Sequence, residues 1–162
     1  MNNPIASQAI SDCNDELIKI RNQINALGST SSISGFLTRY SLIKICGTLE
    51  VCYKTIIADF YENSAPHLGS FIGFHLRDAS MNAKYDSICQ AIKRFDLSKA
   101  NLFKTQIQTL PNKDRAIQSL SDLNTARNEF AHGNNPILTF NDICDKFTES
   151  IRILDVLDSI MV

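Results

Sequence analysis

Apolar residues that recur every three or four positions set the tightest limit on what this chain can fold into. Ile10, Cys13, Leu17, Ile20, Ile24 and Leu27 advance by alternating steps of three and four. That spacing gathers side chains on one face of an α-helix, whereas a strand would scatter them over both of its faces. The same step returns in Leu42, Cys46, Leu49, Tyr53, Ile56 and Phe60, and in Tyr85, Ile88, Ile92 and Phe95. It continues in Ala100, Phe103, Ile107 and Leu110, and closes with Phe140, Ile143, Phe147, Ile151, Leu154 and Leu157. No stretch alternates with a period of two. The spacing therefore predicts an all-α protein, a single-domain antiparallel bundle of five or six helices over residues 1–162.

The punctuation agrees with this reading. Six glycines and four prolines among 162 residues are too few for a sandwich of many short strands. Gly28 is a natural helix stop, Pro66 ends the second helix, and "PNKD" and "GNNP" bracket a further stripe of Ala116, Leu120, Leu123 and Phe130. Asp96 or Ser98 can cap one helix start, and Thr139 with Asp142 forms a capping pattern at another. The segment "PHLGSFIGFHLRDASMNA" has no clear period. It is expected to be a short helix or folded loop over the bundle, with Phe71, Ile72, Phe74 and Leu76 buried.

Charge and cysteine content narrow the function. The net charge is −1, so no global positive field draws in nucleic acid. Locally, Lys84 to Arg115 holds seven basic residues and three aspartates, which suggests either a solvated helix face or a basic surface for a phosphate backbone. The five cysteines lack the spacing of a metal knuckle or redox pair, and Cys46 and Cys52 fall within an apolar stripe. They read as buried thiols in a reducing compartment. The beginning of the chain has no basic-then-apolar leader, and no apolar run reaches membrane-spanning length, so a cytoplasmic, non-membrane protein is expected.

One position breaks the apolar pattern. Extending Ala116, Leu120 and Leu123 along the helix leads to Arg127 and then Phe130. A guanidinium there must meet an anion or open into a cleft. Asn128 and His132 lie four apart on one face, and Gly133 ends the helix, which leaves the imidazole at a rim. Arg127 and His132 are about 140° apart around an ideal helix. They converge only if the last turn is distorted, if the arginine bends round, or if a partner subunit completes the site.

The string "ARNEFAHG", in a late helix followed by a short loop and one more long amphipathic helix, resembles the HEPN superfamily. Its motif is an arginine, a polar residue, a few variable positions and a histidine, here Arg127, Asn128 and His132. The long "LTRYSLIKICGTLEVCYKTIIADFY" and the later "NAKYDSICQAIKRF" are similar to the RiboL-PSP-HEPN group. The resemblance implies a metal-independent endoribonuclease without a cofactor. It would act as a homodimer that sets two motifs across one cleft, and serve as a toxin or effector in bacterial defence against phage. The implied catalytic residues are Arg127, Asn128 and His132, acting on RNA, with tRNA among the candidate substrates. A regulatory or antitoxin partner is also implied. A nucleotidyltransferase antitoxin is disfavoured, because its target tyrosine two residues after the histidine is Asn134 here. The alternative is a non-catalytic HEPN-like adaptor or RNA-binding subunit of a defence complex.

Other residues are candidates for supporting roles. Glu50 can back Arg127 or His132, although Lys54 is its natural partner four residues on. Arg39, Lys44, Lys93, Arg94 and Lys99 can hold RNA phosphates. His67 and His75 suggest no role, and Asp155 and Asp158 are expected to face solvent. No convincing metal-ligand cluster is present.

Overall fold

The computed structural model describes residues 1–162. Its helices are α1 (Pro4–Leu27), α2 (Ser32–Ser64), α3 (Gly69–Ile72), α4 (Tyr85–Lys93), α5 (Leu97–Thr109), α6 (Lys113–Ala131) and α7 (Phe140–Ile160). Six of them are the expected helices of the bundle, and the one-turn α3 lies in the segment expected to form a short helix or folded loop. The 33 residues of α2 form a spine about 50 Å long, and α1, α6 and α7 pack around it. Helices α4 and α5 pair with one another and lean on α6 and α7.

The apolar stripes meet in one continuous core of 36 buried residues. Tyr53, Phe103 and Phe147 are its largest fully buried side chains. Each stabilises the bundle through burial, and truncating Phe103 or Phe147 to alanine would cost about 3–5 kcal/mol. The helix ends follow the local chemistry of the sequence. Asp96 accepts from the backbone N–H groups of Ser98 and Lys99 at 2.7 and 3.0 Å. Thr139 and Asp142 form a reciprocal capping box at the start of α7.

Between α3 and α4 the chain makes a π-helical turn, Gly73–Arg77, and then runs without regular secondary structure to Lys84. Ile72 and Leu76 are buried as expected, but Phe71 and Phe74 are 54% and 70% exposed. The four-residue step from Ile72 to Leu76 turns that pair onto α2 and leaves the two phenylalanines outward, where both rings lean on His75. Arg77 fastens the turn to Asp59 at 2.7 Å and Glu62 at 2.8 Å.

Residues 79–83 are then stitched to the bundle by side chains. Lys54 donates to the carbonyl of Ala79, Tyr53 to that of Met81 at 3.2 Å, and Asn124 to that of Ala83 at 2.9 Å. The Met81 N–H donates to Glu50 at 3.5 Å. These partners satisfy backbone groups that have no ladder of their own. A second buried polar group overturns an expectation. Asp158 is 3% exposed and accepts from the backbone N–H groups of Asn2 and Asn3 at the open end of α1. A carboxylate at a helix N-terminus is favoured by the local dipole, which gives Asp158 a reason to be inside. Asp155 is exposed, 3.9 Å from the amino group of Met1.

Candidate active site

The last turn of α6 is closed by its backbone. The Gly133 N–H donates to the carbonyl of Phe130 at 3.0 Å, and the Asn134 N–H to that of Glu129 at 2.9 Å. This pair of bonds is the Schellman closure, and it needs a left-handed residue in the position that Gly133 fills with φ +84°. The closure places His132 at the helix cap, exposed, with no hydrogen bond to its imidazole from within the protomer.

Arg127 lies one and a half turns earlier and is half-buried. Its Nη1 donates to Oδ1 of Asn82 at 3.3 Å and to Oδ1 of Asn128 at 3.2 Å. No carboxylate pairs with it, and Nε and Nη2 find no acceptor in the protein. The guanidinium also lies near Cys46, whose thiol is pushed up to about 12 by burial against the opposing pull of Arg127. A half-buried arginine with only amide oxygens for partners retains a planar fork of donors suited to a carboxylate or a phosphate.

The structure sorts the remaining candidates. Arg127 and Asn128 are together, while no side-chain hydrogen bond joins either of them to His132 within one protomer; only the His132 backbone N–H reaches back, to the Asn128 carbonyl at 3.0 Å. Glu50 does not meet Arg127 or His132; its Oε1 is 2.6 Å from Nζ of Lys54, which is buried and needs that anion. Arg39 is brought to the motif helix, with its guanidinium 5.9 Å from the ring centroid of Phe130. Arg94 contacts Met81, next to the asparagine that holds Arg127. Lys93 is exposed nearby on α4. Lys99 is withdrawn, because its ammonium donates to the carbonyl of Ile160 and sits 4.4 Å from the Phe60 ring. Lys44 is paired with Glu16 at 2.8 Å. Asn82 is the site residue that the sequence reading missed. It lies in an unpatterned stretch, and nothing in its neighbours signals that α6 will reach it.

A bundle that offers an arginine, an adjacent asparagine and a histidine from the end of its penultimate long helix defines a HEPN-type domain. Residues 8–162 match the model of the RiboL-PSP-HEPN family, and the chain belongs to that family. No curated protein and no solved structure matches the chain. No helix is long and apolar enough to cross a membrane.

Proposed function

We propose that this protein is a metal-independent endoribonuclease that works as a homodimer, in the role of a toxin or effector in defence against phage. RNA carries its own nucleophile. The 2′-hydroxyl oxygen attacks the adjacent phosphorus, the bond from phosphorus to the 5′-oxygen breaks, and the products are a 2′,3′-cyclic phosphate and a 5′-hydroxyl. His132 takes the 2′-hydroxyl proton or delivers one to the departing oxygen. Arg127 holds the phosphate and offsets the charge that grows on its equatorial oxygens. Asn128 orients the guanidinium through its side-chain oxygen. The second subunit brings its own motif to the cleft, so that the arginine of one chain meets the histidine of the other.

The observation that carries this reading is the half-buried Arg127 with unspent Nε and Nη2 donors and no carboxylate, one turn and a half from an uncovered histidine. The decisive experiment is incubation of the purified protein with total RNA and with tRNA in EDTA, followed by mapping of the product ends. Cleavage to cyclic phosphate ends is expected, with loss of at least ~100-fold in the His132→Ala variant. Undiminished cleavage by that variant would dismiss the assignment.

A second reading, a non-catalytic adaptor or RNA-binding subunit, draws on the separation of Arg127 from His132 in a single protomer and on the net charge of −1. It expects RNA or protein binding with intact substrate. The absence of any Arg127–Glu50 bond and the exposure of His132 weigh against it.

A further inference from the structure

Beyond the end of α6 the bundle leaves a cleft of about 260 Å3. Leu42, Phe140 and Ile143 form its floor, Thr38 and Arg39 stand at its rim, and Pro136 walls it from the loop that follows His132. The volume is below the roughly 300–1,000 Å3 of sites for drug-sized ligands. It has room for one ring system and not for a helix.

Arg39 is the informative residue. It makes no hydrogen bond or ion pair with the protein; its guanidinium lies 4.9 Å from the ring centroid of Phe36 and 5.9 Å from that of Phe130. Phe36 is 66% exposed. Gly35 lies beneath the guanidinium, and a Cβ there would stand 3.7 and 3.8 Å from its two terminal nitrogens. An alanine there would meet the guanidinium at ordinary contact distance, and a leucine would add bulk beside Arg39 at the rim. A glycine inside a helical turn is destabilising by up to about 1 kcal/mol relative to alanine, and here it leaves the rim unobstructed. Arg39 and Arg127 thus both lack a carboxylate, and both serve the same end of α6, one against Phe130 and the other three residues before it.

We infer that this cleft receives an unpaired nucleobase of the RNA strand beside the scissile phosphate, with the apolar floor against the ring and the Arg39 guanidinium stacked over it. The inference rests on the ribonuclease reading and adds a substrate requirement to it. A flat heterocycle between an apolar surface and a guanidinium plane is the way proteins hold splayed bases. A base still paired in a duplex cannot enter, so the enzyme selects single-stranded RNA.

The test uses the cleavage-deficient His132→Ala chain and a fluorescently labelled hexauridylate, alone and within a duplex, followed by anisotropy. Single-stranded RNA is expected to bind more tightly than duplex. Adding Gly35→Leu or Arg39→Leu should weaken single-strand binding roughly ten- to a hundredfold, the range that one stacked base carries. Gly35→Leu raises helix propensity, and so should leave the thermal midpoint no lower. An unchanged affinity in both variants overturns the base cleft. So does an affinity lost only in step with a fall in sedimentation mass, which would give this face to a second copy of the chain. If the otherwise wild-type Gly35→Leu protein cleaves single-stranded RNA in EDTA with unchanged KM, the cleft falls and the ribonuclease stands. If the wild-type chain neither binds nor cuts RNA, both fall.

Discussion

Nη1 of Arg127 on α6 donates to Oδ1 of Asn82 at 3.3 Å, across 45 residues of chain. The candidate phosphate-binding group is therefore steadied by a segment that is itself fastened to α2 through Lys54, Tyr53 and Glu50. Removing the steadying contact should disturb the site without disturbing the fold. Asn82→Ala is expected to lower the cleavage rate about tenfold, since misplacement of a positioned group has effects of this order or greater, and to change unfolding free energy by less than ~1 kcal/mol. Initial rates and denaturant unfolding curves on the same preparation check this. A full-rate Asn82→Ala enzyme would show that Arg127 needs no such support.

The proposed sharing of each site between two subunits can be tested in mixtures. In a two-fold dimer whose sites each take arginine from one chain and histidine from the other, Arg127→Ala and His132→Ala proteins complement each other. A mixed dimer regains one intact site, so after exchange at equal amounts about a quarter of the wild-type rate should return. Persistent inactivity in a mixture shown to exchange subunits would mean that each chain builds its site alone.

Lys54 and Glu50 should behave as a unit. Lys54 is only 7% exposed, and its ammonium has two partners, Glu50 and the Ala79 carbonyl. Glu50→Ala strands that charge and should destabilise the protein by about 2–4 kcal/mol, whereas the Lys54→Met/Glu50→Gln pair should lie nearer to wild type than Glu50→Ala alone. Chemical denaturation of the three variants decides between this coupling and simple additivity.

Alkaline stability follows from the buried thiols. Cys46 and Cys52 are both pushed up to about 12 by burial, from an ordinary value of 9.0. The unfolded chain releases these protons first. The stability they contribute is thus complete below about pH 9 and is lost as pH climbs from there toward 12, on the order of 1 kcal/mol per pH unit for each thiol. Unfolding curves between pH 8 and 11 should show that decline, and Cys46→Ala should make it shallower. An identical slope in the variant would place the alkaline sensitivity elsewhere, for example at Tyr61 and Tyr85, which burial also raises to about 12.

The helices were legible because each buries one stripe, and Leu17, Leu49, Ile92, Phe103 and Leu154 all enter the core that their spacing implied. Arg127 was legible for the opposite reason, as a charge where the stripe called for a hydrocarbon. Phe71 and Phe74 were misread, because hydrophobicity says that a ring gains from burial and not whether the backbone turn allows it. Asp158 was misread because its partners are backbone N–H groups, which every residue type supplies and no sequence pattern marks. Asn82 and the clamp over residues 79–83 were out of reach for a related reason, since a non-helical segment held by side chains from α2 and α6 leaves no periodic trace.

The Schellman closure tethers His132 but gives its imidazole nothing to aim at within one chain. If the aim comes from a second copy, specific activity should rise with protein concentration and vanish on dilution below the dissociation constant of the pair. Under the proposed toxin role, a cell carrying a few scattered copies would then be unharmed, and a burst of synthesis alone would suffice to arm the protein, without any covalent trigger.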